Sequence, residues 1–99
     1  MIDGAFASRT LIAQFPDGAK KEICFSIGPI LNNEKMLNYS CGISCNSRFF
    51  KDAYIAGIDQ IDAVSNAIRF LEDFIKENNM EIKFFWMDHS TYDIPEGQS

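Results

Sequence analysis

The sequence lacks a long apolar run. No segment approaches the ~20 consecutive apolar residues that a membrane-spanning helix needs. The first residues, Met1 to Gly4, also lack the basic and apolar regions that make up a secretion signal. We therefore predict a cytoplasmic protein that does not bind membranes. Its length predicts a single domain over residues 1–99.

Histidine and cysteine are scarce, with one histidine, His89, and three cysteines in the whole chain. Metal sites and nucleophilic relays draw on several such residues. Because the cysteines are odd in number and no secretion signal is visible, we predict reduced thiols, placed in the core where a thiol is inert. The sequence thus predicts no catalytic residue, no metal site and no cofactor. The alternatives are a small enzyme or ligand-binding protein with a pocket near Cys41 or His89, or a structural subunit of a larger assembly.

The chain also lacks an excess of basic residues, since its net charge is −5. Residues 1–58 hold five acidic and six basic side chains, whereas residues 59–99 hold nine acidic and three basic ones. Nucleic acids and anionic membranes attract proteins of the opposite charge. This asymmetry therefore excludes both as predicted partners and favours a basic protein.

Apolar residues are plentiful, at 46% of the chain, and they show helical periodicity in one long segment. The periodic positions recur at steps of three and four: Ile61, Val64, Ile68, Leu71 and Ile75. Four further residues widen this apolar face to about half of the circumference: Ala63, Ala67, Phe70 and Phe74. This spacing predicts an amphipathic helix within residues 56–79 whose apolar half faces the core. Asp59 is the predicted N-cap, and Asn78 with Asn79 the predicted C-cap.

Five other segments have the composition of strands, namely residues 7–15, 21–27, 37–45, 48–55 and 80–87. The sequence Pro16-Asp17-Gly18 predicts a tight turn and hence an antiparallel hairpin between the first two strands. Gly28-Pro29 is predicted to end the second strand, and Asn32 to Lys35 to form an exposed loop.

Alternation in the strands predicts which side chains face the core. In the third strand these are Leu37, Tyr39, Cys41, Ile43 and Cys45, and the small polar residues between them are predicted to face water. In the last strand the residues predicted to share the inward face are Met80, Ile82, Phe84 and Trp86, with Phe85 and Met87 on the other face.

The element order is therefore β-β-β-β-α-β. It predicts a two-layer α+β fold, a mainly antiparallel sheet of about five strands packed on one long helix. The sequence allows two positions for the last strand, either beside the first strand or at the opposite edge of the sheet. Residues 88–99 are predicted to form a loosely held tail.

Several positions within residues 9–77 match a family of small bacterial proteins of about this length. They are Arg9, Ile27-Gly28-Pro29, Cys41 and the pattern Gly57-x-Asp59-x-x-x-Ala63-x-x-x-Ala67. The chain resembles this family, which implies a compact sheet with one helix. It departs from the family pattern at Tyr39, where the family tends to have Trp, and at Asp62, where it favours Gln.

The chain also resembles the immunity proteins of contact-dependent growth inhibition systems. That resemblance implies a protein that binds a cognate toxin domain, usually a basic nuclease, and blocks its active cleft. The partner-binding surface is then predicted on the acidic side of the helix and in the tail, with two aromatic anchors. Its residues are Asp62, Glu72, Asp73, Glu77, Phe85, Asp88, Tyr92, Asp93 and Glu96.

Overall fold

A computed structural model describes residues 2–47, 50–77 and 81–91 of the chain. These residues form an antiparallel sheet with one helix packed against it, so the predicted two-layer α+β fold is confirmed. The elements are β1 (Ala7–Gln14), β2 (Lys20–Asn33), a 3₁₀ turn (Glu34–Met36), β3 (Asn38–Cys45), β4 (Ala53–Gly57), α1 (Gln60–Lys76) and β5 (Lys83–Phe85).

The strand order in the sheet is β4-β3-β2-β1-β5, and every neighbouring pair is antiparallel. The β1–β2 hairpin turns where predicted, because the Gly18 amide donates to the Phe15 carbonyl at 2.8 Å and Gly18 has a φ of +89°. The last strand lies beside β1, with Phe84 opposite Ala13. This resolves the choice that the sequence left open.

The second strand is longer than predicted. It does not end at Gly28-Pro29, where the peptide bond is cis, but continues to Asn33. The pairing register with β3 shifts between Ile27 and Ile30, and this shift accommodates the interruption without ending the ladder. The predicted loop is thereby reduced to the 3₁₀ turn. The fourth strand starts later than predicted, at Ala53, and residues 48 and 49 lie outside the described part of the chain.

The helix begins as predicted, since the Asp62 amide donates to Asp59 Oδ1 at 2.7 Å. The predicted cap residues Asn78 and Asn79 lie outside the described residues, as does Met80 of the predicted last strand. The buried face is narrower than predicted, because within the predicted apolar half the buried residues are four apart: Ala63, Ala67, Leu71 and Ile75. Ile61, Ile68 and Phe70, all predicted to face the sheet, are exposed.

The small residues at the start of α1 explain why the buried face is narrower than predicted. A Cβ atom at Gly57 would overlap the backbone nitrogen of Ala63. The glycine therefore lets the helix lie against the end of β4, and only an alanine-sized side chain fits between them. The apolar side chains of Ile61 and Ile68 are turned away from this contact.

The core is closed by aromatic packing at the end of the sheet where α1 finishes. The Phe50 ring lies edge-on to Phe74 and Phe25, with centroids 4.8 and 5.7 Å apart, and Phe84 lies 6.3 Å from Phe25. Trp86 was predicted to join this core but follows the end of β5 and is exposed. The Arg9 guanidinium lies over its ring, 5.4 Å from the centroid.

The second face of the sheet was predicted to face water, and this was wrong at its centre. Ser26, Gly42 and Ser44 are buried there. The chain's leading segment crosses this face, since a Cβ on Gly42 would lie 3.3 Å from Ile2 Cδ1, and the Phe6 amide donates to the Ile27 carbonyl at 3.0 Å. The Ser44 hydroxyl has no hydrogen-bond partner within the described part of the chain.

Candidate functional site

The predicted acids of α1 lie on two sides of the helix. At 3.6 residues per turn, Asp62, Asp73 and Glu77 share one side, and Glu72 lies about a quarter of a turn away. Phe70, whose side chain is exposed, lies on the same side as the three acids. We call Asp62, Asp73 and Glu77 the acidic row.

Asp62 also stabilises the start of the helix. Its Oδ2 accepts a hydrogen bond from the Ile58 amide at 2.8 Å, while its own amide donates to Asp59. Two carboxylates thus satisfy amides at the helix N-terminus, where negative charge is favoured by the helix dipole. The start of α1 is held in place by these two bonds.

Phe85 and Asp88 lie elsewhere. Phe85 alternates with the buried Phe84 and so points to the face of the sheet away from α1, with the Lys20 ammonium 5.9 Å from its ring centroid. Asp88 accepts hydrogen bonds from the Ser90 amide at 2.9 Å and the Ser90 hydroxyl at 2.5 Å. These bonds lower the pKa of Asp88, so its carboxylate is ionised at neutral pH.

The other predicted contact residues, Tyr92, Asp93 and Glu96, lie outside the described part of the chain. Residues 88–91, which were predicted to belong to a loose tail, form part of a turn. The Trp86 amide donates to the Ser90 carbonyl at 2.8 Å, and Thr91 bridges to Phe85.

The three cysteines are free thiols, as predicted. Cys41 and Cys45 are buried, and burial raises the pKa of both thiols, so the thiolate is disfavoured at neutral pH. Cys24 is half-buried. His89 is exposed in the turn after β5, three strand spacings or about 14 Å from β3 and Cys41. The structure does not bring these two residues together.

An apolar pocket of about 130 Å³ opens between α1 and β1. Ile68 and Leu71 of the helix form one wall, and Ala7 and Arg9 of the strand form another. Neither Cys41 nor His89 lines it.

Four large apolar side chains at one end of the sheet are far more exposed than the rest: Met36 at 74%, Leu37 at 88%, Ile58 at 83% and Ile61 at 80%. The other exposed large apolar side chains in the described chain are at most 56% exposed. Single exposed apolar residues are common on proteins, but a group of them is not. We call these four residues the apical patch.

Sequence reasoning missed the apical patch because it assigned two of its members to the core. Leu37 was placed in β3 by alternation, but its φ of +54° puts it before the strand, in a left-handed turn. Ile61 was placed on the buried stripe by its spacing. Two features could have indicated otherwise. Leu37 lies two residues after the polar loop sequence that ends at Lys35, and an apolar half-circumference is wider than the stripe that one sheet covers.

Comparison with models of known protein families, with curated proteins and with solved structures found no match. In residues 2–47, 50–77 and 81–91, no three His, Cys, Asp or Glu side chains are grouped so that they could hold a metal ion. No helix in that same part of the chain is long and apolar enough to cross a bilayer.

Proposed function

We propose that this chain is an immunity-type binding protein. It neutralises the toxin domain of a secreted toxin, and we propose that this toxin domain is a basic nuclease. The observation that carries the proposal is the acidity of residues 59–99, which contain nine acidic and three basic side chains. Part of this charge forms the acidic row on the solvent side of α1.

A nuclease cleft presents positive potential to the phosphates of its substrate. A protein with a row of carboxylates is drawn into the same field and excludes the nucleic acid by occupying the cleft. Inhibition of this kind is stoichiometric and requires no chemistry from the bound protein. The charge of the partner is the essential property, since it supplies the attraction.

The first test is protection of growth. The toxin domain is the one encoded immediately upstream of this chain's gene, and it is expressed with and without the chain in a sensitive bacterium. We expect growth to stop with the toxin domain alone and to resume when this chain is present in equal amount. Absence of a toxin gene at that position, or lack of protection, contradicts the proposed function.

The second test concerns the acidic charge. Glu72→Gln, Asp73→Asn and Glu77→Gln are combined, and association with the toxin domain is followed by rapid mixing. Because long-range attraction speeds encounter, we expect the association rate at low salt to fall by about ten-fold. The difference should shrink at 0.5 M salt, where the Debye length is roughly 4 Å.

A matched control removes the same charge from exposed residues of the first half of the chain. Its substitutions are Asp3→Asn, Glu22→Gln and Asp52→Asn. An association rate that falls equally in both triple variants would show that net charge matters and that the position of the acids on α1 does not. Rates that fall in neither would show that the acidity serves solubility.

A further inference from the structure

We propose that the apical patch is the anchoring part of the interface with the basic toxin domain. This inference rests on the proposed function and adds where the partner is held. Acidic charge raises the rate of association with a basic partner, whereas slow dissociation depends on apolar side chains that are buried on binding. The apical patch offers four such side chains at one end of the sheet.

Strand pairing brings the four residues together. Tyr39 of β3 lies opposite Gly57 of β4. One further step along each chain places Ile58 opposite Asn38, and hence beside Leu37. Met36 precedes Leu37 in the hairpin turn, and Ile61 lies in the first turn of α1, which starts at the same end of the sheet.

The backbone at Leu37 favours a role in binding. Its φ of +54° is in the left-handed region, which costs a leucine about 1–2 kcal/mol and costs glycine almost nothing. Burial of the Leu37 side chain does not offset this backbone cost, because the side chain is the most exposed of the patch. A residue that is unfavourable for the turn and adds nothing to the core is explained by contact with a partner.

Side-chain hydrogen bonds fix both halves of the patch. On the hairpin, Asn33 Nδ2 donates to Asn38 Oδ1 at 2.9 Å and to Ser40 Oγ at 2.6 Å. On the other half, the Ile58 amide donates to Asp62 at 2.8 Å. Because the backbone that carries the anchors is held before binding, less conformational entropy is lost when the complex forms.

Charge selects the partner. Three carboxylates border the patch, on Glu34, Asp59 and Asp62, against one ammonium, on Lys35. Asp62 belongs both to the border of the patch and to the acidic row, and Arg69 lies between Asp62 and Asp73 on the same side of α1. A second copy of this chain would bring the same acidic rim and a net charge of −5, which disfavours self-association. The surface fits a basic protein that carries an apolar contact region.

The test uses the full chain and the toxin domain encoded upstream of its gene. Leu37→Gly and Ile58→Ser each remove one anchor, and Met87→Ser removes an exposed apolar side chain in the turn after β5 as the matched control. We expect each anchor variant to weaken the equilibrium affinity at least about ten-fold, chiefly through faster dissociation. The control should bind as the wild type does. Leu37→Gly should melt at the same temperature as the wild type or higher.

The outcomes separate this inference from the proposed function. If the wild type protects cells and both anchor variants bind the toxin domain with wild-type affinity, the patch is not the anchor and only this inference fails. If the wild type neither protects nor binds, both fail. Sedimentation of the chain alone gives a further arm: a wild-type dimer that Leu37→Gly dissociates would make a second copy the occupant and overturn the inference.

Discussion

The two ends of the helix–sheet sandwich treat apolar side chains in opposite ways. At the end where α1 finishes, Phe25, Phe50, Phe74 and Phe84 pack against one another and close the core. At the end where α1 begins, the apical patch stands in water. Burial here is decided by which neighbour covers a side chain, and apolar character alone does not decide it.

The difference follows from how the helix approaches the sheet. At its start, the helix backbone lies so close to Gly57 that alanine occupies the contact, and larger side chains turn outward. Farther along, Leu71 and Ile75 fill a wider gap, and the Phe50 ring from the β3–β4 connection fills the rest. The helix therefore lies close to the sheet at its start, whereas large side chains fill the space between helix and sheet at its end.

The largest expected effect compares the same substitution at the two ends of α1. Leu71→Asp places a charge inside the helix–sheet contact and should unfold the domain, with a loss of about 3–5 kcal/mol or more. Ile61→Asp should change stability by less than about 0.5 kcal/mol, because the side chain is exposed and an acid suits the first helical turn. Thermal melts followed by circular dichroism measure both. Equal losses would remove the contrast between the ends.

A smaller effect is expected where the helix touches β4. Gly57→Ala inserts a methyl group against the Ala63 backbone and should destabilise the domain by about 2–3 kcal/mol. Gly18→Ala is the control. It has open space around its Cβ but a φ of +89°, so it should cost about 1 kcal/mol. Urea titration gives both values, and a smaller loss for Gly57→Ala would argue against the narrow contact.

The N-cap of α1 should matter less again. Asp59→Ala removes the acceptor for the Asp62 amide and should cost about 1 kcal/mol. Ser65→Ala, on the exposed side of the same helix, is the control and should be within about 0.5 kcal/mol of the wild type. Chemical denaturation of the two variants in parallel decides, and an equal effect would mean that the cap is not needed.

The smallest effect belongs to the apical patch itself. Ile58→Ser should leave the free energy of unfolding within about 0.5 kcal/mol of the wild type, because the side chain is 83% exposed. A loss above about 1.5 kcal/mol in a urea titration would show that Ile58 contributes to the fold, and its display for a partner would then need another explanation.

Local chemistry explains what the sequence predicted well. The Pro16-to-Gly18 turn, the cap at Asp59 and the alternation of Cys41 and Ile43 depend on neighbours in the chain, and the structure has them all. The failures depend on distant segments. Ile61 is exposed because the close contact at Gly57 fixes the position of the helix. The polar face around Ser44 is buried because the leading segment lies across it.

For the acidic surface, the sequence predicted the residue types but not their arrangement. Helical spacing placed Asp73 and Glu77 correctly on the solvent side of α1. Alternation in the last strand correctly placed Phe85 on the face away from the helix. It could not show that Phe85 lies beside β1, because that depends on where β5 pairs in the sheet. The apical patch depends on the pairing of β3 with β4, which no local pattern encodes.

The leading segment has a consequence for the order in which the chain folds during synthesis. Ile2 and Phe6 lie against Gly42 and Gly28, on strands that leave the ribosome later than they do. The segment therefore has no surface to settle on until the β2–β3 hairpin exists. These early residues therefore reach their final position only after residues made later have paired, and until then this face of the sheet is exposed to solvent.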